Sequence, residues 1–105
     1  MDKSVSVLII DDHPIIANAY ESALESFVNQ NASYNFKITS VYSLDEAQLL
    51  LDNSNFIEDL DLVFLDMRLP ASTDGKLVSG EDFGKVLRLR KPNIRIIVST
   101  TFKRV

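Results

Sequence analysis

Three features of this chain predict an α/β fold built on an open, doubly wound parallel sheet. Short apolar runs read as buried strands, helical patterns alternate with them, and two of the runs end in carboxylates. The first run, Val5-Ser6-Val7-Leu8-Ile9-Ile10, passes at once into Asp11-Asp12, and the second, Leu62-Val63-Phe64-Leu65, passes into Asp66. Strand C-termini form the rim of such a sheet where ligands bind, so these acids are delivered to one edge. Grouped there they would repel one another unless a cation neutralised them, and a divalent metal is the natural guest.

Strand one covers Val5 to Ile10. The Asp11-Asp12-His13 turn and Pro14, a residue suited to the first helical position, then start a helix. Ile15, Ile16, Ala19, Tyr20, Ala23, Leu24, Phe27 and Val28 share one face of it, and Asn18, Glu21, Ser22 and Glu25 the other, which predicts that the first set packs inward. Asn29 to Asn35 is polar and loop-like, and Phe36 to Tyr42 is the second strand. Ser43-Leu44-Asp45-Glu46 has the capping-box form and opens a helix running to about Asp52. A loop through Asn53, Ser54 and Asn55 leads to the third strand, Leu60 to Leu65. Ala71 to Ser79, with the turn dipeptide Asp74-Gly75, reads as an irregular loop. A second capping pattern, Ser79-Gly80-Glu81-Asp82, starts a helix with Phe83, Val86 and Leu87 inward and Leu89 as a further inward candidate. Lys91-Pro92-Asn93 stops it, and Ile94 to Thr100 is the fourth strand.

Strands alternating with helices require right-handed crossovers and helices on both faces of the sheet. The flavodoxin-like order, 2-1-3-4, sets strand one beside strand three and places Asp11, Asp12 and Asp66 at one switch point. Other doubly wound orders also cluster them.

At 105 residues and 46% hydrophobic content the chain suits one domain, residues 1–105. Eleven basic against 15 acidic residues give a net charge of −4, which argues against direct nucleic-acid binding by this segment. With no cysteine and a single histidine, there is neither a disulfide framework nor a zinc cluster of the Cys or His type. No stretch resembles a signal-peptide core or approaches the roughly 20 apolar residues of a membrane span, so a cytoplasmic protein with no membrane partner is expected.

Magnesium prefers six oxygens, keeps several waters and is held by one or two carboxylates plus a phosphate oxygen. Asp12, Asp66 and the backbone carbonyl of Arg68 fit that count, with Asp11 in a supporting or water-mediated role. A carboxylate can also be the nucleophile in phosphoryl transfer, where a neighbouring metal supplies most of the assistance required. Asp66, alone at the end of a central strand, is the candidate acceptor. Ser99-Thr100-Thr101 ends the fourth strand at the same rim, where a hydroxyl can donate to a phosphoryl oxygen. His13, beside Pro14, reads as an exposed helix-start residue rather than a ligand or phosphodonor. Lys85, Arg88, Arg90 and Lys91 read as a solvated helix face.

Taken in order, Val-Leu-Ile-Ile-Asp-Asp-His-Pro, Leu-Val-Phe-Leu-Asp-Met-Arg-Leu-Pro and Pro-Asn-Ile-Arg-Ile-Ile-Val-Ser-Thr resemble the receiver domain of two-component response regulators over nearly the whole chain. The resemblance implies that Asp66 is the phosphoacceptor, that Asp11 and Asp12 form the Mg2+ site with the Arg68 carbonyl, and that Thr100 is the switch hydroxyl. It implies a sensor histidine kinase or phosphotransfer protein as partner, and a phosphoacceptor rather than a turnover enzyme. Asp-Asp-His-Pro is also similar to the start of NarL/LuxR-type receivers, which control a transcriptional output domain.

A complete member of that family continues with a helix, a fifth strand ending in a phosphate-pairing lysine, and a last helix. Lys103 comes too soon after Thr100 to be that lysine, so a receiver incomplete at its C-terminus is expected. An unprotected fourth-strand edge carrying Ile94, Ile96, Ile97 and Val98 would then invite homodimerisation. The alternative is a truncated or pseudo-receiver acting as a phosphorylation-independent interaction module. The Ala71 to Ser79 loop is longer than in most receivers, so Gly80 rather than Gly75 matches the family glycine. A magnesium-dependent phosphatase is disfavoured, because Arg68 stands where its second catalytic acid belongs.

Overall fold

In the computed structural model, which describes residues 3–99, the first apolar run forms strand β1 (Lys3–Ile10). Val7, Leu8, Ile9 and Ile10 are all fully buried, because both faces of the sheet are covered at this point. The remaining elements are α1 (Pro14–Gln30), β2 (Tyr34–Val41), α2 (Leu44–Leu51), α3 (Ser54–Asp59), β3 (Leu62–Asp66), α4 (Gly80–Arg90) and β4 (Arg95–Ser99). All strand pairs are parallel, and the order is β2-β1-β3-β4, as the sequence predicts.

Alternation along the strands divides the core in two. Leu8, Ile10, Val63 and Leu65 point to one side, where they meet Leu44, Ala47, Ile57, Leu60, Phe83 and Leu87 from the segment spanning α2 to α4. Val7 and Ile9 point to the other, where Ala17, Tyr20 and Leu24 of α1 pack with Phe36, Ile38, Leu62 and Phe64. Tyr20 stacks on Phe64 with ring centroids 4.7 Å apart.

Helix α1 buries a narrower stripe than its periodicity predicts. Ile15 is 82% exposed, Ala19 and Ala23 are exposed, and Ala17 instead sits at the contact. The supposedly polar Glu21 is half-buried and accepts a hydrogen bond from the Ser40 hydroxyl. Leu89 likewise faces solvent, at 84% exposure. Helix α3 was expected as loop and strand. Asn53 caps it by accepting from the Phe56 amide (3.1 Å), and its one turn and a half buries Ile57. Ile94 is buried ahead of β4 rather than within it, while Ile97 and Val98 are half exposed on that strand.

Both capping patterns form, with one variation. Ser43 accepts from the Glu46 amide and Ser79 from the Asp82 amide, as in a capping box. The acids, however, reach one residue further back, Glu46 to the Tyr42 amide (3.0 Å) and Asp82 to the Val78 amide (2.8 Å). At the opposite rim of the sheet the basic residues do more than solvate a face. Arg90 donates to the Leu51 carbonyl at the end of α2, Lys91 to the Glu58 and Leu60 carbonyls at the end of α3, and Arg88 to the Pro92 and Ile94 carbonyls. Cations placed on exposed helix-end carbonyls satisfy groups that lack intrahelical partners and complement the helix dipole.

The stretch 71–78 is ordered by its own polar groups. The Ser72 hydroxyl donates to Asp74 Oδ1 (2.8 Å) and accepts from the Leu77 amide (3.0 Å), while the Ser72 amide donates to the Leu77 carbonyl (2.8 Å). Gly75, at φ 73°, makes the left-handed turn between them. Thr73 donates through its amide and its hydroxyl to Asp45 Oδ1, and Gln48 donates to Asp74 Oδ2, which ties the loop to α2. Leu69 and Leu77 then enter the core beside that helix.

Replacing Ser72 by Ala leaves the buried Leu77 amide without its acceptor, and should cost about 1–3 kcal/mol in urea unfolding. The Lys76 amide, then the Ser72 hydroxyl and Gln48, hold the Asp74 carboxyl below its ordinary value of 3.8. A carboxyl depressed on folding stabilises the fold above its unfolded value, and that gain is lost as pH falls through the lowered folded value. The stability advantage of the wild type over Asp74→Asn should therefore be full at neutral pH, decline as pH falls past 3.8 and vanish only beneath the lowered folded value, measured by parallel denaturant titrations.

Candidate functional site

The pairing of Ile10 with Leu65 in adjacent strands sets the next residues, Asp11 and Asp66, side by side at the C-terminal rim. Both carboxylates are buried, at 1% exposure each. Each is fixed in the same way. Asp11 Oδ1 accepts from the amide of His13, two residues on, and Asp66 Oδ1 accepts from the amide of Arg68, two residues on, both at 2.9 Å. Such turns carry the chain off the sheet edge, and a backbone amide bonded to a carboxylate offsets part of the cost of burying it.

Asp12 is partly exposed and lies 2.8 Å from His13 Nδ1 through Oδ1. His13 is also 3.5 Å from Asp11 Oδ1. One ligand atom from each of Asp11, Asp12 and His13 lies within 4.8 Å of the others, the one such group of donors among the described residues. Asp66 stands next to this group without being part of it. Two carboxylates and an imidazole nitrogen are a donor set that fits a divalent cation. Arg68 is exposed, and its amide is committed to Asp66. Thr100 lies outside the described residues. The residue before it, Ser99, pairs with Asp66 in the sheet, and its carbonyl accepts from the Met67 amide at 3.1 Å.

For two residues the structure adds what sequence reasoning does not supply, the approach of His13 to the acids and the reason for Gly80. His13 was read as a helix-start residue, and its approach to both aspartates depends on how α1 leaves the sheet. Gly80 opens α4 directly against β3: a Cβ at that position would stand 2.1 Å from the Asp66 carbonyl oxygen. The helix start can lie that close to β3 only where no side chain intervenes.

Residues 7–105 match the family model for the response regulator receiver domain. The chain belongs to the response regulator receiver family. No curated protein and no solved structure gave a match. Receivers are phosphoacceptors of two-component signalling rather than conventional enzymes, and they bind magnesium through an acidic cluster of the kind that begins at Asp11 in this receiver. No described helix is long and apolar enough to cross a membrane.

Gly80→Ala should displace α4 from β3 and destabilise the receiver by about 1–3 kcal/mol. Gly84→Ala meets only the flexible end of Leu65, at 3.2 Å, and serves as the tolerated comparison in the same thermal or urea melts.

Proposed function

We propose that this receiver takes a phosphoryl group onto Asp66 from a sensor histidine kinase or phosphotransfer protein. The observation that carries the reading is the side-by-side placement of buried Asp66 and Asp11 at the strand ends, with Asp12 and His13 completing a cation-binding group. An Asp66 carboxylate oxygen attacks phosphorus, forming an O–P bond. The bond from phosphorus to the donor breaks, and the donor leaves with the electron pair. When bound, Mg2+ would neutralise charge on the phosphoryl oxygens, with Asp11, Asp12, Asp66 and the Arg68 carbonyl as its protein ligands.

The turn that pins Asp66 through the Arg68 amide orients the acceptor before the donor arrives, which lowers the entropic part of the barrier. At 1% exposure Asp66 admits a phosphoryl group only as its neighbours shift, so acceptance is coupled to rearrangement of the surrounding rim. Thr100, next in the chain after the Asp66 partner Ser99, is the proposed switch hydroxyl. A cytoplasmic setting follows from a kinase-borne phosphoryl donor. A transcriptional output rests on the likeness of Asp11-Asp12-His13-Pro14 to the NarL/LuxR-type group. Self-association along β4 is supported by the exposed Ile97 and Val98 on its edge; a purely monomeric sedimentation series would remove it.

Incubation with acetyl phosphate and Mg2+ should give a single phosphoryl adduct by intact mass, released by hydroxylamine and absent from Asp66→Asn. Failure to form an adduct, or one that persists in Asp66→Asn, overturns the assignment.

A further inference from the structure

The chain leaves β3 at Asp66 and returns to it at Gly80, where an added Cβ would stand 2.1 Å from the Asp66 carbonyl oxygen and 3.0 Å from Met67 Cα. Residues 67–79 are thus a loop of the Ω form, with ends that touch and an interior packed by its own side chains. Leu69 and Leu77 supply the apolar part of that packing, and the buried Ser72 supplies the polar part through its bonds to Leu77. Those bonds brace the stretch from Ser72 to Leu77, so it moves as one piece. Leu77 then runs through Val78 and Ser79 into Gly80.

Two side chains of α2 hold the tip of this loop. Asp45 Oδ1 accepts from the Thr73 amide at 2.9 Å and from its hydroxyl at 3.0 Å, and Gln48 Nε2 donates to Asp74 Oδ2 at 3.0 Å. Residues three apart share one face of a helix, so both bonds draw the tip to the same side of α2. At the neck the loop in turn holds Asp66, whose Oδ1 accepts from the Arg68 amide at 2.9 Å. We propose that Asp45 and Gln48 are positioning residues for Asp66, fastening the loop tip to α2 so that the Arg68 amide and Gly80 stay seated against the acid. The inference rests on the reading of Asp66 as phosphoacceptor. A braced loop released at its tip pivots about its buried leucines, and the pivot acts at the neck. Displacement of an attacking group by about 1 Å is enough to slow its reaction. Exposed bonds such as these add little to global stability, but they set the free energy at which one loop opens.

The test compares the wild type with the double variant Asp45→Ala/Gln48→Ala, with Asp45→Asn, which keeps an acceptor oxygen, and with Thr73→Val, which removes one hydroxyl bond. Phosphorylation by acetyl phosphate with Mg2+ is followed by intact mass, and exchange of the Arg68 amide by NMR. In the double variant the first-order rate at saturating donor should fall about tenfold at an unchanged half-saturating concentration, and Arg68 exchange should quicken about tenfold. Asp45→Asn should restore most of both. A change in only one of the two measurements, or in neither, overturns the positioning role. Should circular dichroism show the double variant unfolded, Thr73→Val decides by the same criteria, with an expected change of about threefold in each. A wild type that forms no adduct, or an adduct that persists in Asp66→Asn, overturns the acceptor reading and the proposal with it.

Discussion

The parallel pairing of β1 with β3 is the constraint on which the site depends. Because Ile10 and Leu65 are partners in register, the residues that follow them are neighbours, and a shift of one position would part the two acids and set each strand's side chains against the wrong layer. The register is held by burial on both sides: Leu8 and Ile10 with Val63 and Leu65 on one face, Val7 and Ile9 with Leu62 and Phe64 on the other. Thus the hydrophobic packing of the sheet centre positions two acids that hydrophobic packing alone would exclude. Their burial is tolerated because each carboxylate accepts an amide from its own turn.

Around that rim the chain uses further carboxylates for structure. Asp45, Asp74, Glu46 and Asp82 accept backbone or side-chain donors that shape the loop 71–78 and the starts of α2 and α4. The opposite rim is organised by cations, with Arg88, Arg90 and Lys91 on carbonyls at the ends of helices and in the turn before β4. Amide-rich turns and helix starts at one end, and carbonyl-rich helix ends at the other, follow from every crossover running in the same direction. The close approach of Gly80 to the Asp66 carbonyl ties α4 to β3, so a displacement of Asp66 has a direct mechanical route to that helix.

The alternation of strands and helices, the acids at the strand ends and both capping serines were legible because each rests on local pattern: apolar runs, residue spacing and turn chemistry. Helix α3 was not, since six residues carry too little periodicity to distinguish a short helix from a loop, and only Asn53 ahead of Phe56 and Ile57 marks it. Ile15 and Leu89 were misassigned because periodicity gives the centre of an apolar face but not its width. The width depends on how many neighbours the helix meets, and α1 meets the sheet along a line through Ala17, Tyr20 and Leu24. The loop 71–78 looked irregular because its internal bonds follow no helix or strand period and its anchors, Asp45 and Gln48, lie more than 20 residues away.

By itself the sequence determined that strands and helices alternate and that Asp11, Asp12 and Asp66 follow buried strands, because these are properties of contiguous residues. Only the tertiary structure decided that Asp11 and Asp66 become neighbours, that His13 closes on the acidic pair and that Gly80 must lack a side chain. Those depend on strand register and on the angle at which helices leave the sheet, which are set by contacts between residues distant in the chain.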